Sequence, residues 1–319
     1  MKYINISLFF IAVLFVFTAC SKEEETPLTP VKTLNVVEQM LDTGDAYTDF
    51  IKALTKSGLT NRLENSGDHT IFAPTKEAMT AYLDGRSIDD IDGSTLRSDF
   101  SYHIVRNIYL EDSLNSNGYL PTISVDGPNG NALSFYYEKQ NAGILVNNSA
   151  AVTINNTLQS NGIIHSVNKV LTPPTLMDLI EFNPQFNNIG EALTLLNLTE
   201  ELRIGSNKTF FAPCNDSFDG FLPEYNFNSL SDMLPDSILH NTIFYHLVND
   251  TILFADQLTE SLVKTSVDKN IRISVDTTSS VAFIVDFDAR TANFKESNIY
   301  ATNGILHTID QVLSPGLLD

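Results

Sequence analysis

Apolar positions recur at two spacings along this chain, and the spacing changes once in each half. Val36, Val37, Met40 and Leu41 open a helical pattern, which Tyr47, Phe50, Ile51 and Leu54 continue at i, i+3, i+4 and i+7. Gly58 is placed to end it. Ile189, Ala192, Leu193 and Leu196 repeat that spacing in the second half. Leu96, Phe100 and Ile104 predict a helix carrying Tyr102-His103, and Leu239, Ile243 and Leu247 predict its counterpart around Tyr245-His246. After each of these the period falls to two. Leu133, Phe135 and Tyr137 alternate, then Ile144 with Val146 and Val152 with Ile154; in the second half Ile271, Ile273 and Val275 are followed by Val281, Phe283, Val285 and Phe287. Alternation of this kind predicts half-buried antiparallel strands. Helices first and strands afterwards, twice over, predict an α+β unit in two copies.

The second copy is not only a matter of pattern. Asn161-Gly162-Ile163-Ile164-His165 runs on to Val170-Leu171-Thr172-Pro173, and Asn303-Gly304-Ile305-Leu306-His307 runs on to Val312-Leu313-Ser314-Pro315. Thr70-Ile71-Phe72-Ala73-Pro74-Thr75 matches Thr209-Phe210-Phe211-Ala212-Pro213-Cys214, and Tyr102-His103 matches Tyr245-His246. Three landmarks in one order at a nearly constant offset mean two tandem domains and not a short solenoid repeat. A short strand over Ile71-Phe72 or Phe210-Phe211 leads into each Ala-Pro. Thr75 then caps a helix whose apolar face is Ala78, Met79, Tyr82 and Leu83. At the matching position Cys214 is a poor acceptor, costing up to ~1 kcal/mol of capping unless Asn215 or Asp216 takes over.

These three motifs resemble the signatures of the fasciclin domain, in family order and spacing, over about 33–173 and 175–318. Cys214 stands where the family has Thr. The resemblance implies a compact wedge of β-strands packed with several helices in each domain. In animal fasciclin domains the Tyr-His pair is implicated in integrin binding, which makes Tyr102, His103, Tyr245 and His246 candidate partner-binding residues here; integrin itself is not carried over to this chain. His165 and His307 sit on apolar strand faces and read as hydrogen-bonded core residues. With Thr75, Asn161, Gly162, Asn303 and Gly304 they form the structural motif of the repeat.

The N-terminus reads as a targeting segment. Lys2 precedes an apolar run over Ile6 to Phe17 that is too short to span a bilayer, which takes ~20 residues. Phe17-Thr18-Ala19-Cys20 resembles a bacterial lipoprotein processing site, so residues 1–19 are expected to be a signal peptide and Cys20 the lipidated mature N-terminus. Residues 20–32, with Glu23-Glu24-Glu25 and Pro27 and Pro30, read as an acidic, extended linker resembling the surface-export segment of Bacteroidota lipoproteins. Domain 1 is expected over 33–173 and domain 2 over 174–319, joined at the stiff Thr172-Pro173-Pro174.

Charge removes one class of partner. The chain carries 39 acidic against 19 basic residues, a net charge of −20, and shows no Lys/Arg cluster of the kind nucleic acid requires. It has 2 Cys, and with Cys20 given to lipid none is left to form a disulfide in the mature chain. No metal-ligand spacing, nucleophile elbow or phosphate loop is present. Asp286 and Asp288 lack the Gly-containing loop that would hold Ca²⁺. The expectation is therefore a non-enzymatic binding or adhesion module without a cofactor, lipid-anchored at the outer membrane and displaying its domains to a protein or glycan. The alternatives are an accessory subunit of an outer-membrane transporter for glycans or nutrients, and a hydrolase with a carboxylate site.

Overall fold

A computed structural model describes residues 34–65, 67–141, 143–234 and 237–316. The expected signal peptide 1–19, Cys20 and the linker 20–32 lie outside the described residues. The first half begins with α1 (Val36–Asp42), α2 (Thr48–Lys56) and α3 (Thr60–Asn65), then β1 (His69–Pro74), α4 (Lys76–Leu83) and α5 (Gly93–Ser101). Strands follow: β2 (Ile104–Arg106), β3 (Asn117–Pro121), β4 (Ser134–Gln140), β5 (Gly143–Val146), β6 (Ala150–Gln159) and β7 (Gly162–Val167). The second half repeats the scheme, with α6 (Leu176–Phe182), α7 (Asn187–Leu195), β8 (Lys208–Pro213), α8 (Asn215–Glu224) and α9 (Ile238–Tyr245). Its strands are β9 (Leu247–Val248), β10 (Ser261–Lys264), β11 (Asn270–Val275), β12 (Ala282–Val285), β13 (Thr291–Ala301) and β14 (Gly304–Ile309).

Each half is one seven-stranded sheet. The strand orders are β2-β1-β7-β6-β5-β4-β3 and β10-β11-β12-β13-β14-β8-β9. The first and last strands curl back on one another. Ile123 N–H donates to the Ile104 carbonyl and Ser266 N–H to the Leu247 carbonyl, both at 2.8 Å, so each sheet nearly closes into a barrel. Most neighbours are antiparallel, as the alternation predicts. The exceptions are β1 with β7 and β8 with β14, which pair in parallel as the second and third strands from one end of each sheet. All four of these strands are buried along their whole length. Helices cover one face and the barrel interior the other, which is why they read as continuous apolar runs. The buried apolar clusters that make up the cores lie within residues 36–171 in the first half and 176–313 in the second, inside one compact unit from Leu34 onward.

Three expectations need correction. The single helix over Val36–Leu54 is two, α1 and α2, broken where Gly44 takes a φ of +71°; Leu41 is consequently exposed. Ile104 and Leu247 are strand residues, because α5 ends at Ser101 and α9 at Tyr245. The inward phase of β12 is the reverse of Val281-Phe283-Val285-Phe287. Ile284 is the buried residue, while Val281 and Phe287 are exposed. Ile284 pairs with Ile273 across β11–β12, and directly opposed residues share a face.

The capping expectations hold. Thr75 Oγ1 accepts from Ala78 N–H, and Cys214 makes no side-chain cap. Asn215 does not take over: its amide is spent on Asn188 and the Pro184 carbonyl.

Candidate functional site

The Asn-Gly that opens β7 ties strand to helix. Asn161 Oδ1 accepts from Val36 N–H at 3.0 Å and Asn161 Nδ2 donates to the Leu63 carbonyl at 2.6 Å. Asn303 does the same with Leu176 N–H and the Leu202 carbonyl, both at 2.9 Å. One amide thus satisfies the free donor that starts α1 or α6 and a carbonyl at the end of the helical layer. Gly162 and Gly304 are required by the parallel pairing. A Cβ on either would come under 3.0 Å from the backbone carbonyl of His69 or Lys208.

His165 and His307 are both buried in the barrel. His165 Nε2 pairs with the Tyr109 carbonyl at 3.2 Å, and His307 Nε2 with the Leu253 carbonyl at 2.8 Å. His165 packs against Phe72 and His307 stacks on Phe211. Burial lowers both pKa values, that of His307 to about 4. They stand as neutral core residues, as their strand position implies.

The Tyr-His pairs cannot meet a partner directly, because Tyr102, His103, Tyr245 and His246 are completely buried. This corrects their reading as candidate partner-binding residues. Tyr102 OH donates to the Ser134 carbonyl and Tyr245 OH to the Asn270 carbonyl. His103 Nδ1 bonds the Phe72 carbonyl at 2.7 Å, and its Nε2 accepts from Leu171 N–H at 2.9 Å. His246 Nδ1 bonds the Thr242 carbonyl at 2.7 Å, and its Nε2 accepts from Leu313 N–H at 2.9 Å. Each imidazole therefore latches the segment leaving the last strand onto the core. Nε2 must be unprotonated to accept, and burial pushes both pKa values down to about 4.

The accessible site that emerges lies between the halves, and no motif pointed to it. Tyr300 N–H donates to Ser134 Oγ at 2.8 Å, Asn183 Nδ2 to Tyr119 OH at 3.1 Å, and Asn148 Nδ2 to the Glu181 carbonyl at 3.3 Å. The Tyr119 ring packs against the second half's core and tilts on Tyr136. Covering by the second half explains why β4 is buried on both faces at Tyr136 despite its alternation. Beside these bonds opens a cleft of about 450 Å³ lined by Tyr119, Asn131, Ser134, Glu296, Asn298 and Tyr300, among others. Glu296 has no hydrogen-bond or ion-pair partner among the described residues, and desolvation of its carboxyl raises its pKa. Among the described residues of the lining it is the one carboxylate, whereas glycoside hydrolysis takes a facing pair. Aromatic rings beside hydroxyl, amide and carboxyl groups make a seat for hydrogen bonding and stacking.

Other candidates resolve into structure. The Asp286 carboxylate is committed to the Arg290 guanidinium and to Ser314 N–H, and Asp288 accepts from Tyr225 OH. Cys214 is buried, and its desolvation raises the thiol pKa, the opposite of a reactive cysteine. Among the described residues there is no group of three or more His, Cys, Asp or Glu arranged to hold a metal ion.

The fasciclin domain model matches residues 45–173 and 184–315. Human periostin is 25% identical over 269 residues, which cover 81% of this chain and 30% of that protein. The transforming growth factor-beta-induced protein ig-h3 of Sus scrofa is 26% identical over 302 residues, 89% of this chain and 39% of the relative. The chain thus spans about a third of the length of these relatives. Among solved structures, a FAS1 domain pair from the insect cell adhesion molecule Fasciclin I superposes with a TM-score of 0.52 at 18% identity, covering 87% of this chain and 98% of that one. With both halves matched in sequence and the pair matched in fold, the chain belongs to the fasciclin domain family.

Proposed function

We propose that this chain is a cell-surface binding and adhesion protein, anchored in an outer membrane by lipid on Cys20, with the cleft between its two fasciclin domains as the seat for a ligand. The observation that carries the reading is family membership of both halves, joined by a domain contact that leaves Glu296 and Tyr300 lining an open cleft. Support for adhesion comes from the relative described as an insect cell adhesion molecule. The catalytic alternative is disfavoured by the single carboxylate of the cleft lining and by the burial of His103, His165, His246 and His307. The partner is a protein or glycan at the cell surface, and no cofactor enters the proposal. A role as accessory subunit of a glycan or nutrient importer uses the same anchor and cleft, with the transporter as the partner.

The test is affinity purification of the tagged full chain from solubilised outer membranes, beside a Cys20→Ala variant. Metabolic labelling with a fatty acid should mark the parent and not the variant. Loss of label in both, or recovery of the parent in the soluble fraction, overturns the anchor. A surface protein or glycan that co-purifies with the parent but not with a Glu296→Ala/Tyr300→Ala double variant supports the cleft. Equal recovery with both rules the cleft out.

A further inference from the structure

Three of the most exposed large apolar side chains in this acidic molecule are Leu41 at 60%, Leu158 at 57% and Leu262 at 65%. Isolated exposed leucines need no explanation. These three have one, which comes from the repeat. The correspondence between domains is fixed by hydrogen bonds that recur in both. Thr122 Oγ1 donates to the Leu133 carbonyl, and Thr265 Oγ1 to the Lys269 carbonyl. Tyr102 OH donates to Ser134 and Tyr245 OH to Asn270. In β3, Pro121 pairs with Ser134 and Tyr119 with Tyr136; in β10, Lys264 pairs with Asn270 and Leu262 with Arg272. Leu262 is therefore the domain 2 equivalent of Tyr119. The same register makes Leu158, opposite Ile163, the equivalent of Tyr300, opposite Ile305. Val36 and Leu176 occupy the same helix-start position on Asn161 and Asn303, which aligns Leu41 with Glu181.

All three counterparts belong to the contact between the domains. Tyr119 packs on the core of domain 2, Tyr300 N–H bonds Ser134, and the Glu181 carbonyl bonds Asn148. Domain 1 presents one face of this contact, through Tyr119, and domain 2 the other, through Glu181 and Tyr300. Each domain also carries the half that its neighbour uses. Domain 2 has an uncovered copy of domain 1's docking face, centred on Leu262. Domain 1 has an uncovered copy of domain 2's, with Leu41 and Leu158. A groove of about 570 Å³ lies open beside β10, lined by Leu262, Val263 and Lys264, the equivalents of the cleft residues Tyr119, Leu120 and Pro121.

We propose that a second copy of this chain docks head to tail, its domain 1 face with Leu41 and Leu158 seating on the domain 2 face with Leu262, in the manner in which domain 2 seats on domain 1 within the chain. This contact is independent of whatever ligand the cleft takes. It is heterologous, with different patches on the two copies, so it propagates from chain to chain and differs from an isologous dimer, in which one patch meets itself. It is weaker than its internal model. Within the chain the Pro173-Pro174 join holds the second domain at an effective concentration of order mM, which separate chains must supply themselves. Arg272 also stands where Tyr136 lends its ring to the internal contact, which reduces the apolar area of the second face.

Sedimentation velocity of residues 34–319, which hold all of the described cores, tests the proposal. The expected result is a mean mass that rises with concentration through dimer to trimer and beyond. Leu262→Glu and Leu158→Glu should each be monomeric alone with an unchanged circular dichroism spectrum. Mixed in equal amounts they should form species of two chains and nothing larger, because one intact head meets one intact tail. A parent that stays monomeric up to about 1 mM, where even a millimolar Kd would register, overturns the proposal. So does association that stops at two chains in the parent, or a mixture of the two variants that fails to complement.

Discussion

Acidification should loosen this protein well above the range in which its carboxylates titrate, through three buried imidazoles. His103, His246 and His307 have pKa values of about 4, against 6.5 for an unperturbed His. The folded state therefore binds fewer protons than the unfolded chain at any pH between those values. Stability contributed by keeping them neutral is complete above pH 6.5 and is lost as the pH falls towards 4. At about pH 5 each unfolded imidazole has gained about 1.5 units of proton affinity that the folded one has not, worth about 2 kcal/mol at ~1.36 kcal/mol per unit. Three such groups give about 6 kcal/mol, a large share of the roughly 5–15 kcal/mol that holds a typical protein together. Asp99 and Glu296 act in the opposite sense, since burial raises their pKa and they take up protons in the folded state first. The assay is urea unfolding followed by far-UV circular dichroism between about pH 7.5 and about pH 5, for the parent and for His246→Gln. The parent should lose several kcal/mol across that range. The variant, less stable at neutral pH because Leu313 N–H loses the imidazole acceptor, should lose about 2 kcal/mol less. A parent unfolding free energy that is flat over the range, or a His246 imidazole that titrates near 6.5 by NMR in the folded protein, refutes the reasoning.

Four further outcomes are expected. Asn303→Ala removes both partners that Asn303 supplies and leaves Leu176 N–H without its acceptor, so thermal unfolding should show a loss of about 2–4 kcal/mol at roughly 1–2 per bond. Gly304→Ala puts a methyl against the Lys208 carbonyl and the Leu176 side chain, where backbone has no room to yield; a loss of about 3 kcal/mol or more, or failure to accumulate as soluble protein, is expected. Cys214→Ser restores a hydroxyl acceptor at the start of α8 and should gain about 0.5–1 kcal/mol by urea titration, while Thr75→Ala should lose about 1.

The repeat, the α+β class and the roles of Thr75, His165 and His307 were legible in the sequence because each rests on local chemistry. A helix cap, a period of two and a His flanked by aliphatic residues all act within a few positions of themselves. The Tyr-His pairs show where carrying over a family's binding residues fails. Their candidate role comes from the resemblance, and only the fold shows Leu171 and Leu313 arriving from 67 or 68 residues away to donate their N–H groups to both imidazoles in the buried core. The phase of β12 was equally hidden. Apolar residues occupy both of its faces, so Ile273 across the sheet decides that Ile284 goes inward.

What the sequence determined by itself is the identity of the two units and the residues that hold each one together, since both copies must solve the same folding problem. What the tertiary structure alone decided is how the copies use their surfaces. The cleft at Glu296 and Tyr300, and the difference between a covered Tyr119 and an exposed Leu262, arise from contacts between residues 33 to 166 positions apart. No spacing along the chain encodes them, because the faces that meet are set by the curl of two sheets and by the order in which the domains are joined.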